Sequence, residues 1–273
     1  MLRTIFISAI IIISQIASAQ PEKVWETGDL KTPESVYYYE TDNVVFVSNI
    51  NGKPTDKDNN GFITKMNTDG KIIKLKWAEG LHAPKGMVIN RGYLYVTDIN
   101  RIAKIDLKEG SVEKYIPVAG SQFLNDMEAY NGRIFVSDMK ANKLYVIEND
   151  KPTIFKETGL KGSNGLYEEN GMLYVGNNNY ILSIDLNSEE PAAEKHEFNV
   201  GGIDGLKKYA PGEFLTSDWQ GNVYHVKKGG DVKRILSTVD KEIQAADFEY
   251  IQSEKLLFIP TFFHNTVSAY RLD

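Results

Sequence analysis

Asn131-Gly132-Arg133-Ile134-Phe135-Val136 recurs 39 residues later as Asn170-Gly171-Met172-Leu173-Tyr174-Val175, and 40 residues earlier as Arg91-Gly92-Tyr93-Leu94-Tyr95-Val96. In each copy a glycine closes a two-residue turn and an apolar strand with an aromatic or Leu centre follows at once, which is the pattern of a β-hairpin. Further out, Gly212 falls 41 residues after Gly171 and opens Glu213-Phe214-Leu215-Thr216. Val44-Val45-Phe46-Val47 and Leu256-Leu257-Phe258-Ile259 repeat the strand without the glycine, making six copies. Self-similarity at this period marks a repeat architecture.

The copies continue into third strands, at residues 102–106, 143–148, 181–185 and 222–226, and into fourth strands such as 112–116. Four antiparallel strands in about 42 residues make one propeller blade. Residues 20–273 are therefore expected to form a single all-β domain, a six-bladed β-propeller of four-stranded antiparallel blades. The sixth copy has only three strands, while residues 22–26 read as a strand with no partner in sequence. The N-terminal strand is expected to complete the last blade and close the ring, leaving short edges only.

Composition narrows the function. The chain has 273 residues, 42% hydrophobic and 25% charged, which excludes disorder. Asp plus Glu outnumber Lys plus Arg by 37 to 31, with no basic run, which argues against nucleic acid and anionic membrane surfaces as partners. Met1-Leu2-Arg3, an apolar run at 5–16 and Ala17-Ser18-Ala19 have the three zones of a secretory signal. Residues 1–19 are expected to be cleaved after Ala19 and the protein exported, to the periplasm or as a secreted monomer. No later apolar run is long enough for a membrane span. The absence of cysteine excludes disulfides, thiolate metal sites and a Cys nucleophile.

The innermost strand of each propeller blade lines the central channel, so equivalent residues at its start form a ring at one mouth. Aligning the first strands puts Glu34, Lys85, Asn125, Asn164, Asp204 and Ala246 in that ring. Two carboxylates and two amides are four hard oxygen donors that suit one divalent metal ion, Ca²⁺ first, with Zn²⁺, Mn²⁺ or Mg²⁺ as alternatives. Two other arrangements satisfy the same residues. Asn and Asp at strand ends bond nearby backbone, and a Lys85 ammonium folded into the ring would supply the counter-charge without a metal.

At these residues the chain resembles the SMP-30/gluconolactonase/LRE-like family of six-bladed propellers. The likeness lies in Pro33-Glu34-Ser35-Val36, Leu124-Asn125-Asp126-Met127, Ser163-Asn164-Gly165-Leu166 and Ile203-Asp204-Gly205-Leu206, and it spans the chain after residue 19. It implies a single metal held by Glu34, Asn125, Asn164 and Asp204, with Asp204 doubling as general base, and hydrolysis of a small-molecule lactone or related ester. Sugar-specific members often have Arg two residues before the third-blade Asn. Here that place is Phe123, so the resemblance does not select a sugar lactone over a more apolar substrate. Lys85 is the cation of the ring available to an oxyanion. A reading from another class is a non-catalytic exported propeller that binds a ligand or partner and keeps a structural metal.

Other signals weigh less. Asp56-Lys57-Asp58-Asn59-Asn60-Gly61 has calcium-loop spacing, but its twelfth position is Asn67, so it reads as a polar hairpin loop and a candidate lid. His82, His196, His225 and His264 show no metal-ligand spacing. Asn49, Asp98, Asp138, Asn177 and Asp218 close the second strands in blade after blade, a recurrence that points to turn bonding. Trp25, Trp77 and Trp219 read as packing or rim aromatics. No serine-hydrolase elbow or phosphate-binding loop occurs.

Overall fold

A computed structural model describes residues 20–157, 159–189 and 191–272. The expected signal and its cleavage point at Ala19 lie outside them. The described residues form six four-stranded antiparallel sheets. Their first strands are Pro33–Tyr39, Pro84–Asn90, Leu124–Tyr130, Leu166–Glu169, Leu206–Ala210 and Glu249–Ile251. Each of these touches the first strand of the next sheet, all the way round, so they line a closed central channel. Apart from strands, the described residues form three single 3₁₀ turns, at Glu40–Asp42, Val239–Lys241 and Phe262–His264.

The hairpins follow the glycine column. Arg91 and Gly92, Asn131 and Gly132, and Asn170 and Gly171 all have positive φ, as a two-residue turn matched to strand twist requires. Strands open at Tyr93, Arg133, Met172 and Glu213, where the repeat places them.

The ring closes through the N-terminal strand. Glu22–Thr27 pairs antiparallel with Val267–Arg271 as the outer strand of blade six. Trp25 stacks on Phe258 of that blade at 5.3 Å, and its Nε1 donates to the Thr68 carbonyl of blade one at 3.1 Å. At the channel itself, Val36 N donates to Asp247 O (3.2 Å) and Asp247 N to Glu34 O (3.0 Å), stitching the innermost strands of blades one and six.

The core lies between blades. Six apolar clusters fill the six interfaces; Phe46, Trp77, Met87 and Leu94 belong to the one between blades one and two. A seventh, of Ile50, Ala83, Ile99, Ala246 and Phe262, sits at the channel mouth. The blades thus pack as wedges that fix the radius of the channel.

Candidate functional site

Two features of the sequence set the mouth. The polar residues ending the second strands turn back onto the segment entering the first strand. Asn49 Oδ1 accepts from Lys31 N (2.9 Å), Asp98 Oδ1 from His82 N and Ala83 N (2.8 Å each), and Asn177 Oδ1 from Lys161 N (3.1 Å). Asp138 does the same for Gln122 N and Phe123 N. Their recurrence is structural: each anchors the backbone two or three residues before a ring position, while Asp218 bonds its own turn at Gly221 and Asn222.

Neighbouring first strands also approach closely. A Cβ on Gly165 would stand 2.5 Å from Asp204 O, and one on Gly205 2.9 Å from Phe248 N. The glycine following Asn164 and Asp204 is therefore demanded by backbone contact around the channel.

The anchoring brings the ring together. Glu34, Lys85, Asn125, Asn164 and Asp204 are all buried and all line one cavity of about 440 Å³, joined by Phe123. Ala246, the sixth position, packs away in the apolar cluster under Phe262. Asn164 Nδ2 donates to Asp204 Oδ1 at 2.5 Å. Asn164 Oδ1 and Glu34 Oε2 are buried without any hydrogen-bond partner. Such acceptors are costly unless something compensates them.

Electrostatics show the same shortfall. Burial pushes the Glu34 carboxyl well above its usual range; Lys85 pulls it down and Asp204 pushes it further up. Burial, then the neighbouring Asp247, raises Asp204 to about 7 against the hydrogen bond from Asn164. Lys85 does not neutralise the ring by direct pairing. Its ammonium donates to Ala83 O (3.0 Å) and Pro54 O (3.3 Å), lies 4.5 Å from the centre of the Phe123 ring, and has its pKa lowered by burial. No ion pair within 4 Å involves Lys85 among the described residues. Nor do three His, Cys, Asp or Glu side chains converge there on one point, so a cation at this mouth would draw on the two amide oxygens as well as the two acids.

The remaining candidates are dispersed. None of the four histidines lines the cavity. His82 Nδ1 accepts from Asn59 N at 3.3 Å, and His225 meets Glu213 at 2.6 Å. Asp58 spends both carboxylate oxygens on Asn60, as a polar hairpin loop does, and of that long loop only Pro54 reaches the cavity.

Sequence reasoning missed two groups. One is a deeper tier of the channel, one and three residues beyond the ring positions, where Asp126, Glu128, Asp247 and Glu249 surround Lys207. Lys207 Nζ lies 3.7 Å from Glu249 Oε2, and Asp247 Oδ2 accepts from Ser35 Oγ at 2.5 Å. The same alignment, read further along each strand, contains them. The other is the apolar part of the cavity wall: Met139 and Ile203, which stand next to the recurring Asp138 and Asp204, and Phe262 and Phe263, which occupy a connecting segment with no repeat equivalent.

Against known proteins, residues 55–261 match the family model described as "Domain of unknown function (DUF5074)". No curated protein matches. Among solved structures the chain is similar to a catalytically inactive virginiamycin B lyase from Staphylococcus aureus with quinupristin, at 13% identity and a TM-score of 0.61, covering 89% of this chain and 95% of that one. Selenomethionine-substituted virginiamycin B lyase from the same organism gives 16% identity and a TM-score of 0.60, covering 91% and 88%. At such identities the likeness is one of fold.

Proposed function

We propose that this chain, which belongs to the DUF5074 family, is an exported, divalent-metal-dependent hydrolase that opens a lactone or related ester at the channel mouth. The observation that carries this is the pair of buried, unpartnered oxygens, Glu34 Oε2 and Asn164 Oδ1, on one cavity with Asn125 and Asp204. Oxygen-only donors with two carboxylates match a hard cation, and the resemblance to SMP-30/gluconolactonase-like propellers points to the same four residues. Held there, a divalent cation would supply polarisation of a carbonyl and a lower pKa for water.

The chain's own residues supply the rest. Asn164 fixes Asp204 through Oδ1, leaving Oδ2 to accept a proton from the attacking water. Water adds to the carbonyl carbon, the ring C–O bond breaks, and the proton held by Asp204 passes to the departing alkoxide, giving the hydroxy acid. Lys85 spends two of its three N–H groups on Ala83 and Pro54 and has one left for the developing oxyanion.

Elimination of the kind carried by a lyase has less support. The inactive virginiamycin B lyase bears a histidine-to-alanine change, and no histidine lines this cavity. The test is to strip the protein with chelator, restore Ca²⁺, Mn²⁺ or Zn²⁺, and follow acid release from a panel of lactones and aryl esters. Metal-dependent turnover that D204N lowers by about 10²-fold or more is expected. Metal that raises the melting temperature without turnover of any member would favour a binding propeller with a structural ion.

A further inference from the structure

We infer that the substrate carries an alkyl or aryl arm, held against an aromatic wall on the blade-five and blade-six side of the mouth. This rests on the hydrolase reading and adds the substrate class. The cavity is divided by chemistry. Its floor is the buried polar ring, and much of the rest of its lining is apolar: Trp219, Phe262 and Phe263 with Ile203 on the blade-five and blade-six side, and Phe123 and Met139 from blade three. About 440 Å³ is far more than an ion and one water need, and lies in the range of small-molecule sites.

The wall is constructed at a cost. Trp219 and Phe263 are 43% and 59% exposed, yet they meet edge to face at 6.1 Å, and Phe262 contacts both, at 5.9 and 4.8 Å. Phe262 holds this place at φ +49°, a strained backbone for a bulky side chain, and is buried in one apolar cluster with Ala246 and Ile99. Adjacent exposed aromatics, fixed by strain and opening onto buried donors, gain most from an apolar group that covers them. Ala246 is what makes room: a polar ring residue in blade six would displace Phe262. A carbonyl at the floor places its hydrocarbon substituent on this wall.

The experiment uses the metal-loaded protein and γ-lactones whose side chain lengthens from methyl to octyl. kcat/KM should rise by up to about fourfold per methylene until the wall is covered. In W219A and F263S, both at exposed positions, the rise per methylene should flatten. Binding is read separately with an octyl-substituted lactam, which is not hydrolysed, by calorimetric titration of wild type and F263S. Tight binding that weakens at least tenfold in F263S supports the inference even if no lactone is turned over, in which case the hydrolase reading alone fails. Turnover that ignores chain length and both substitutions overturns the inference and leaves the hydrolase intact. A dimer by light scattering that W219A returns to monomer also overturns it, since a second copy would then be the occupant of the wall.

Discussion

Asp204 is asked to be ionised where the fold disfavours ionisation. Burial lifts its pKa from 3.8 to about 7, so the metal-free fold favours the protonated form. The resulting penalty is absent below about 3.8 and complete above about 7, and metal-free stability should fall as pH rises through that window. D204N removes the penalty while keeping an oxygen that can accept from Asn164. We expect it to melt higher than wild type at alkaline pH without metal, and to lose about 10²- to 10⁴-fold in kcat. A D204N protein with full activity would remove Asp204 from the chemistry. Glu34 belongs to the same trade: E34Q should weaken metal binding at least tenfold while raising metal-free stability, both measurable by titration and thermal melts.

At the scale of strands and turns, what recurs was legible and what occurs once was not. The turns at Gly92, Gly132 and Gly171 repeat because each hairpin needs the same backbone, so their column revealed the blades. Glu34, Asn125, Asn164 and Asp204 were legible as repeat-equivalent positions at the entry to the first strands, within them in blades one and three and two residues before them in blades four and five, though the closeness of Asn164 to Asp204 needed the ring's actual radius. Phe262 and Phe263 sit in the one blade-six connection, at residues 261–266, and no other blade repeats them, so no comparison between blades exposes them.

The Asn-Gly and Asp-Gly steps had a visible residue and an invisible reason, which is the approach of the next blade's backbone. G205A should therefore cost about 1–3 kcal/mol by overpacking and reduce metal affinity by widening the ring. An unchanged melting temperature would show that the channel yields easily. Removal of residues 20–28 should leave Val267–Arg271 as an open edge and produce aggregation on heating, read by light scattering.

For the molecule as a whole, the ring is held by apolar packing between blades and gathers buried acid at its axis. Glu34 and Asp204 at the mouth, and Asp126 and Asp247 below it, are all buried, with Lys207 the cation among the lower group. An ion at the mouth would act on every blade that contributes a ligand, namely one, three, four and five. Saturation at a hundred times Kd should add about 2.7 kcal/mol to stability. The most direct test of the account is the metal content of dialysed protein by elemental analysis, in wild type and in the E34Q/D204N double variant. One equivalent of divalent metal in wild type and none in the variant is the predicted result. No retained metal in wild type after exposure to Ca²⁺, Mn²⁺ or Zn²⁺, or equal retention by both proteins, would contradict it.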